Sequence, residues 1–283
     1  ATIPYSEGIG FIAKIDEDDV DYPFDVTAHE VAHQWWAHQL VSADVQGATV
    51  MTEVLAQYSS LMVCRQEFSE KLVRKMLEHE LDRYLRGRGS ERLKEVPLML
   101  VENQGYLHYR KGIMVMNALQ DYIGEERLNR ALAAYLKDFA YQNPPYTNSI
   151  EFLEYIRQAV PDSLQYIITD MFETITLYEN KIVEATYESL DNGTYRVHMA
   201  VSAQKLRADE LGNEVEIPIS DYIDIGVLGE DDGELYLSKH LIHKPEMEFT
   251  IIVGEKPARA GIDPYHKLID RLIADNTMKV AEL

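Results

Sequence analysis

Val26-Thr27-Ala28-His29-Glu30-Val31-Ala32-His33-Gln34-Trp35-Trp36-Ala37-His38 contains neither glycine nor proline and is apolar at 26, 28, 31, 32, 35 and 36, a spacing that reads as a buried helix over 26–41. Inside it, His29-Glu30-Val31-Ala32-His33 is an H-E-x-x-H pentapeptide. Side chains four apart on a helix stand one above the other, so both imidazoles can reach one metal ion while Glu30 faces a water held there. This is a zinc hydrolase signature, with ligands and base in one helical turn. A catalytic zinc takes three protein ligands and leaves a fourth position open, so one more is required. Met51-Thr52-Glu53-Val54-Leu55-Ala56-Gln57-Tyr58 is the next apolar helical segment and carries a single carboxylate. Glu53 is the expected third ligand.

On these residues the chain resembles the M1 family of zinc aminopeptidases, in which H-E-x-x-H is followed by a glutamate in a segment of the type N-E-G-F-A-E-Y. His33-Gln34-Trp35-Trp36 parallels the family's H-Q-W-F. Residues 52–58 parallel the glutamate segment, with Thr52, Val54 and Gln57 in place of Asn, Gly and Glu. Residues 34–52 form the spacer, one longer than the family's eighteen; a loop between helices can absorb one residue provided it returns Glu53 to the metal. The H-E-V-A-H-Q-W-W-A-H stretch is most similar to a branch of M1-like peptidases fused to bacterial ABC-type permease segments.

The resemblance implies two further site residues. Tyr109-Arg110-Lys111-Gly112 resembles the family tyrosine that precedes E-K-G, and a phenol there would donate to the oxyanion of a tetrahedral intermediate. Tyr106, one turn away, is the fallback among eighteen tyrosines. Glu7, in Pro4-Tyr5-Ser6-Glu7-Gly8-Ile9-Gly10-Phe11, lies where the family carries G-x-M-E-N. The family glutamate binds the substrate's free α-amine, a charge-assisted contact that confines cleavage to the first residue. Gly8 stands where the family has Asn, and the preceding Gly and Met are missing.

Composition narrows the alternatives. With 283 residues, 46% of them apolar, the chain is long enough for two domains with real cores. Nothing approaches eighteen consecutive apolar residues, the minimum expected of a membrane-spanning helix. The single cysteine, Cys64, excludes an internal disulfide and lies in an apolar run as a small core residue. A net charge of -21 argues against nucleic acid as a partner. Residue 1 is alanine with no signal or transit pattern, which reads as a piece of a longer, membrane-embedded polypeptide of the permease-fused kind. The expected localisation is therefore membrane-associated through that longer chain.

Helices are expected at about 26–41, 51–67, 69–86, 109–122, 125–140, 148–159 and 163–174, with a capping-box-like start at Asn148 and Glu151. From about 180 the period changes to alternation in 195–201 and 217–225. Asp191-Asn192-Gly193 is a hairpin signal, and further strands are expected near 234–242 and 247–253. The reading is α+β: a mostly helical thermolysin-like catalytic lobe over 1–178, followed by an antiparallel β-sandwich over 179–283 with a closing segment. His240 and His243 would face opposite sides of a strand; with His198 they offer no metal pattern. His38, His79, His108 and His266 also lack a partner pattern, although His38 follows the motif by little more than one turn.

The expected function is a zinc-dependent aminopeptidase acting on peptides. Zinc would be held by His29, His33 and Glu53, with Glu30 as general base and then acid, Tyr109 on the oxyanion and Glu7 on the substrate amine. A zinc endopeptidase of the same class is one competitor. Another is a non-catalytic peptide-binding module attached to a membrane transporter, which would have no reason to keep Glu30. A structural zinc site would use four protein ligands, often thiolates, and the one cysteine is far from the motif.

Overall fold

The structure, a computed structural model, describes residues 3, 6–12, 14–16 and 19–283. The chain is of the α+β class and divides into two compact units, Ala1–Ile175 and Thr176–Leu283.

The first unit is helical. Helix α1 (Tyr22–Ala32) starts four residues earlier than its apolar pattern suggests, because Asp21 caps it by accepting the Phe24 amide at 2.9 Å and Pro23 preorganises the first turn. It also ends well short of residue 41. Trp36 and Leu40 are buried, the Trp36 indole donates to Ser59 Oγ at 2.9 Å, and Ala37 turns the chain with φ of 98°. Burial of those two side chains overrides helical propensity. Nor is α1 buried all round. Its covered residues are Asp25, His29 and Ala32, whereas Val31 and Trp35 are exposed.

A π-type turn at Val50–Val54 opens into α2 (Leu55–Glu67), followed by α3 (Glu70–Ser90), which Ser69 caps through the Leu72 amide. A second π-type turn, Tyr106–Lys111, leads into α4 (Gly112–Ile123). Residues 112–120 of α4 are buried without interruption, and it packs against α2, α3 and α5 (Glu125–Phe139), so a helix buried all round along that stretch forms the centre of this unit. Helix α6 (Ser149–Ala159) begins with the expected capping box, Asn148 and Glu151 each accepting from the other's backbone. The helix expected over 163–174 is instead a tight turn at Asp162–Leu164, a single turn α7 (Tyr166–Ile168) and a π-type turn at Thr169–Glu173. The Gln165 side chain binds the Arg157 and Val160 carbonyls there, diverting the backbone between α6 and α7.

The second unit contains two sheets. One has the order Glu214–Ile217, Tyr195–Ala208, Ile175–Ser189, Ala281–Glu282, with Glu246–Val253 also on Tyr195–Ala208; the other is Glu234–Ile242, Asp221–Leu228, Arg259–Ile262, Thr277–Lys279. The first is built on β1 (Ile175–Ser189) and β2 (Tyr195–Ala208), joined at the expected turn, where Gly193 takes φ of 82° and Leu190 and Thr194 close the hairpin. Residues 217–225 are not one strand. They divide between β3 (Glu214–Ile217) and β4 (Asp221–Leu228), with Pro218, which has no N–H to give a ladder, at the break. The remaining strands are β5 (Glu234–Ile242), β6 (Glu246–Val253), β7 (Arg259–Ile262), β8 (Thr277–Lys279) and β9 (Ala281–Glu282), the last parallel to β1. Strand β2 alternates, burying Val197, Met199, Val201 and Ala203, while β4 is buried almost throughout.

Candidate functional site

The pentapeptide occupies the last turn of α1, and the chain's turn beyond it contributes to the site. His33 Nδ1 lies 3.0 Å from the Trp36 carbonyl. A carbonyl can only accept, so Nδ1 donates to it, and in the neutral ring that leaves Nε2 its lone pair, the arrangement that a metal ligand needs. The early end of the helix thus supplies the group that orients its second histidine. His29, one turn back, is buried, and its Nδ1 has no hydrogen-bond partner among the described residues.

Glu53, on the π-type turn before α2, brings Oε2 to 3.3 Å from His29 Nε2 and 3.6 Å from His33 Nε2. Among the described residues these three form the one cluster of His, Cys, Asp or Glu able to hold a metal, with ligand atoms within 4.8 Å of one another. Four ligands at zinc bond lengths are separated by about 3.4 Å along each tetrahedral edge. Both measured separations fit such an edge, and two imidazoles with one carboxylate is a three-ligand zinc set. The longer spacer therefore still returns Glu53 to the histidines. Burial works to raise the Glu53 pKa, but the hydrogen bond with His29, the charges of His33 and His29, and a hydrogen bond with Tyr109 hold it below the usual carboxylate range.

Tyr109 lies on the π-type turn Tyr106–Lys111, its ring 5.7 Å from that of His29. Burial, with the Glu53 carboxylate and the charge of Glu30, pushes its phenol up to about 12, so it keeps its proton near neutrality. The two turns pack together, and Gly112 is what lets them: a Cβ there would sit 2.8 Å from Cγ2 of the fully buried Val54, next to Glu53. Gly112→Val should therefore separate Tyr109 from Glu53, cost about 1–3 kcal/mol as an overpacked core position, and weaken zinc binding. Thermal melts with and without zinc would detect both effects; a variant with unchanged melting and zinc response would show that the close approach is dispensable.

His29, Glu30 and Tyr109 line a cleft of about 550 Å³, a size typical of small-ligand sites. Asp25 and Gln57 also line it. Asp25 is buried, and its carboxylate accepts from Ser60 Oγ, with Cys64 Sγ at 3.9 Å. Desolvation raises the Asp25 pKa, partly opposed by the Ser60 hydrogen bond. Tyr22, Arg83 and Arg110 also line the cleft. The sequence reading singled out none of these; for Asp25 the available signal was its position one helical turn before His29.

The remaining candidates lie elsewhere. Tyr106 is stacked on Tyr84 with ring centres 6.2 Å apart and does not line the cleft. Glu7 is exposed, and the residue of its segment that reaches the cleft is Ile9; Pro4 and Tyr5 lie outside the described residues. The turn at Ala37 leaves His38 exposed rather than at the cleft. In the second unit His240 is held by the Tyr236 hydroxyl at 2.7 Å, and His198 by Thr250 at 3.0 Å.

Residues 13–174 match the peptidase family M1 domain. The chain is 29% identical to human (Homo sapiens) endoplasmic reticulum aminopeptidase 2 over 124 residues, covering 42% of this chain and 13% of that protein. It is 32% identical to Arabidopsis thaliana aminopeptidase M1 over 127 residues, 42% of this chain and 14% of that protein. It is 29% identical to Bos taurus aminopeptidase N over 167 residues, 53% of this chain and 16% of that protein. The chain thus spans less than a fifth of the length of these curated relatives.

Proposed function

The chain belongs to peptidase family M1, and on that premise we propose that it is a zinc-dependent aminopeptidase releasing N-terminal residues from peptides. The observation that carries the reading is the convergence of His29, His33 and Glu53 within 4.8 Å of one another, with His29 lining a cleft that also presents Glu30 and Tyr109. Those three residues would hold the zinc, which when bound lowers the pKa of a water molecule and polarises the scissile carbonyl. Glu30 takes the proton of the attacking water and passes it to the leaving amine, acting as base and then as acid. Tyr109, with its proton in place near neutrality, donates a hydrogen bond to the oxygen of the carbonyl as negative charge develops there. Assays on alanyl arylamides with chelator, and again after zinc is restored, test the reading; hydrolysis indifferent to chelator would overturn it.

Confinement to the N-terminal residue rests on Glu7. If Glu7 anchors the substrate amine, Glu7→Gln should lower kcat/KM for unblocked substrates roughly ten- to hundredfold, through a higher KM, and leave N-acetylated peptides equally poor. A second reading, a zinc endopeptidase of the same class, is favoured by the exposure of Glu7 and by Ile9 standing at the cleft in its place. Internal cleavage of blocked peptides as fast as of free ones would select it.

The proposal extends to a longer, membrane-associated polypeptide of the permease-fused branch, with the H-E-V-A-H-Q-W-W-A-H stretch as its support. No helix among the described residues is long and apolar enough to cross a membrane, so in this reading the anchor belongs to another part of that polypeptide. Fractionation of the full-length product between membrane and supernatant tests this point; recovery wholly in the supernatant would refute it.

A further inference from the structure

Two arginines also line the cleft. Arg83 lies on α3, three residues beyond Glu80, and Arg110 directly follows Tyr109; both line the cleft beside Tyr22. The two guanidiniums, Glu80 and Asp25 all act electrostatically on the Tyr22 phenol. Their charges do not cancel. Arg110 Nη1 donates to Glu80 at 2.7 Å, and the Glu80 side chain is only 3% exposed, so that pair is internally neutral. Arg83 makes no ion pair with any carboxylate among the described residues.

The two carboxyl groups at the cleft are not free to serve Arg83. Asp25, on α1, is committed to Ser60 and Cys64, and burial favours its neutral form. Glu30 belongs to the chemistry next to His29. We infer that Arg83, with Arg110 beside it, binds a carboxylate carried by the substrate, making this a peptidase that prefers substrates with a carboxylate close to the scissile bond. The inference deepens the peptidase reading and rests on it. An arginine fork matches a carboxylate with two parallel N–H donors, which gives selection by geometry as well as by charge. With -21 on the chain as a whole, a carboxylate gains nothing from the overall field. The selectivity must come from contacts inside the cleft.

The carboxylate has two possible sources: the side chain of an acidic first residue, or the C-terminus of a short peptide. Calorimetric titration of the whole chain with L-glutamate against L-glutamine reads the first, and alanyl-alanine against its C-terminal amide reads the second, without requiring turnover. At least one acid should bind about tenfold or more tightly than its neutral counterpart. Arg83→Gln should bring that ratio close to one, and Arg83→Lys should keep part of it. Equal binding of acid and amide in both pairs would overturn the inference, as would a preference that survives Arg83→Gln. If the preference is present and lost in Arg83→Gln while no arylamide is hydrolysed, the carboxylate site stands and the peptidase reading fails.

Discussion

Glu30→Gln should abolish most turnover while leaving zinc in place. The substitution keeps the shape and hydrogen-bonding reach of the side chain but removes its capacity to take and return a proton. Positioned general acid–base catalysis typically contributes about 10²–10⁴-fold, so kcat should fall by that order with KM little changed. Zinc should stay because His29, His33 and Glu53 are untouched and His33 is still oriented by the Trp36 carbonyl. Asp25 is the alternative carboxyl at the cleft, but its Ser60 hydrogen bond and burial suit it to a structural role. Asp25→Asn should accordingly affect stability more than the pH-independent rate. Metal content and steady-state kinetics measured on the same preparation decide the matter: a Glu30→Gln protein that holds zinc and turns over at the parent rate would remove Glu30 from the mechanism.

Much of this arrangement can be read along the chain because each part has a local signal. The donors at 29 and 33 are four apart on one helix, Glu53 is the single carboxylate in an apolar segment, and the change of period near 180 separates a helical unit from a sheet unit. The early end of α1 has no such signal. It depends on Trp36 and Leu40 being buried against elements far along the chain, and on the Ser59 hydroxyl waiting for the Trp36 indole. The same long-range packing makes the two π-type turns, which place Glu53 and Tyr109, look like ordinary helical starts in sequence. Arg83 and Arg110 come from a helix and a turn that share no spacing rule, so their meeting at one cleft is a tertiary fact. The buried face of α1 confounds a hydrophobicity reading for a related reason. It carries Asp25 and His29 because it borders the cleft, leaving Val31 and Trp35 to the solvent side.

Removing a donor should have the other large effect. In His33→Ala or Glu53→Ala the cluster drops to two protein ligands, and zinc should no longer be retained through dialysis that leaves the parent protein loaded. Loss of an outer group that only orients a ligand costs about 10- to 100-fold in affinity; loss of a donor should exceed that, because it deletes a bond to the metal. The ordering can be tested through stability as well as metal content. Zinc present at about 100 times its dissociation constant adds about 2.7 kcal/mol to the folded state, so the parent should melt markedly higher with zinc than with chelator. Both donor variants should melt alike in the two conditions. A Ser59→Ala variant, which loses the hydroxyl that receives the Trp36 indole and so loosens the carbonyl on His33, should fall between. Retention of stoichiometric zinc by Glu53→Ala would mean that the third ligand comes from elsewhere, and the short contacts of Glu53 with both histidines would then be ordinary hydrogen bonding.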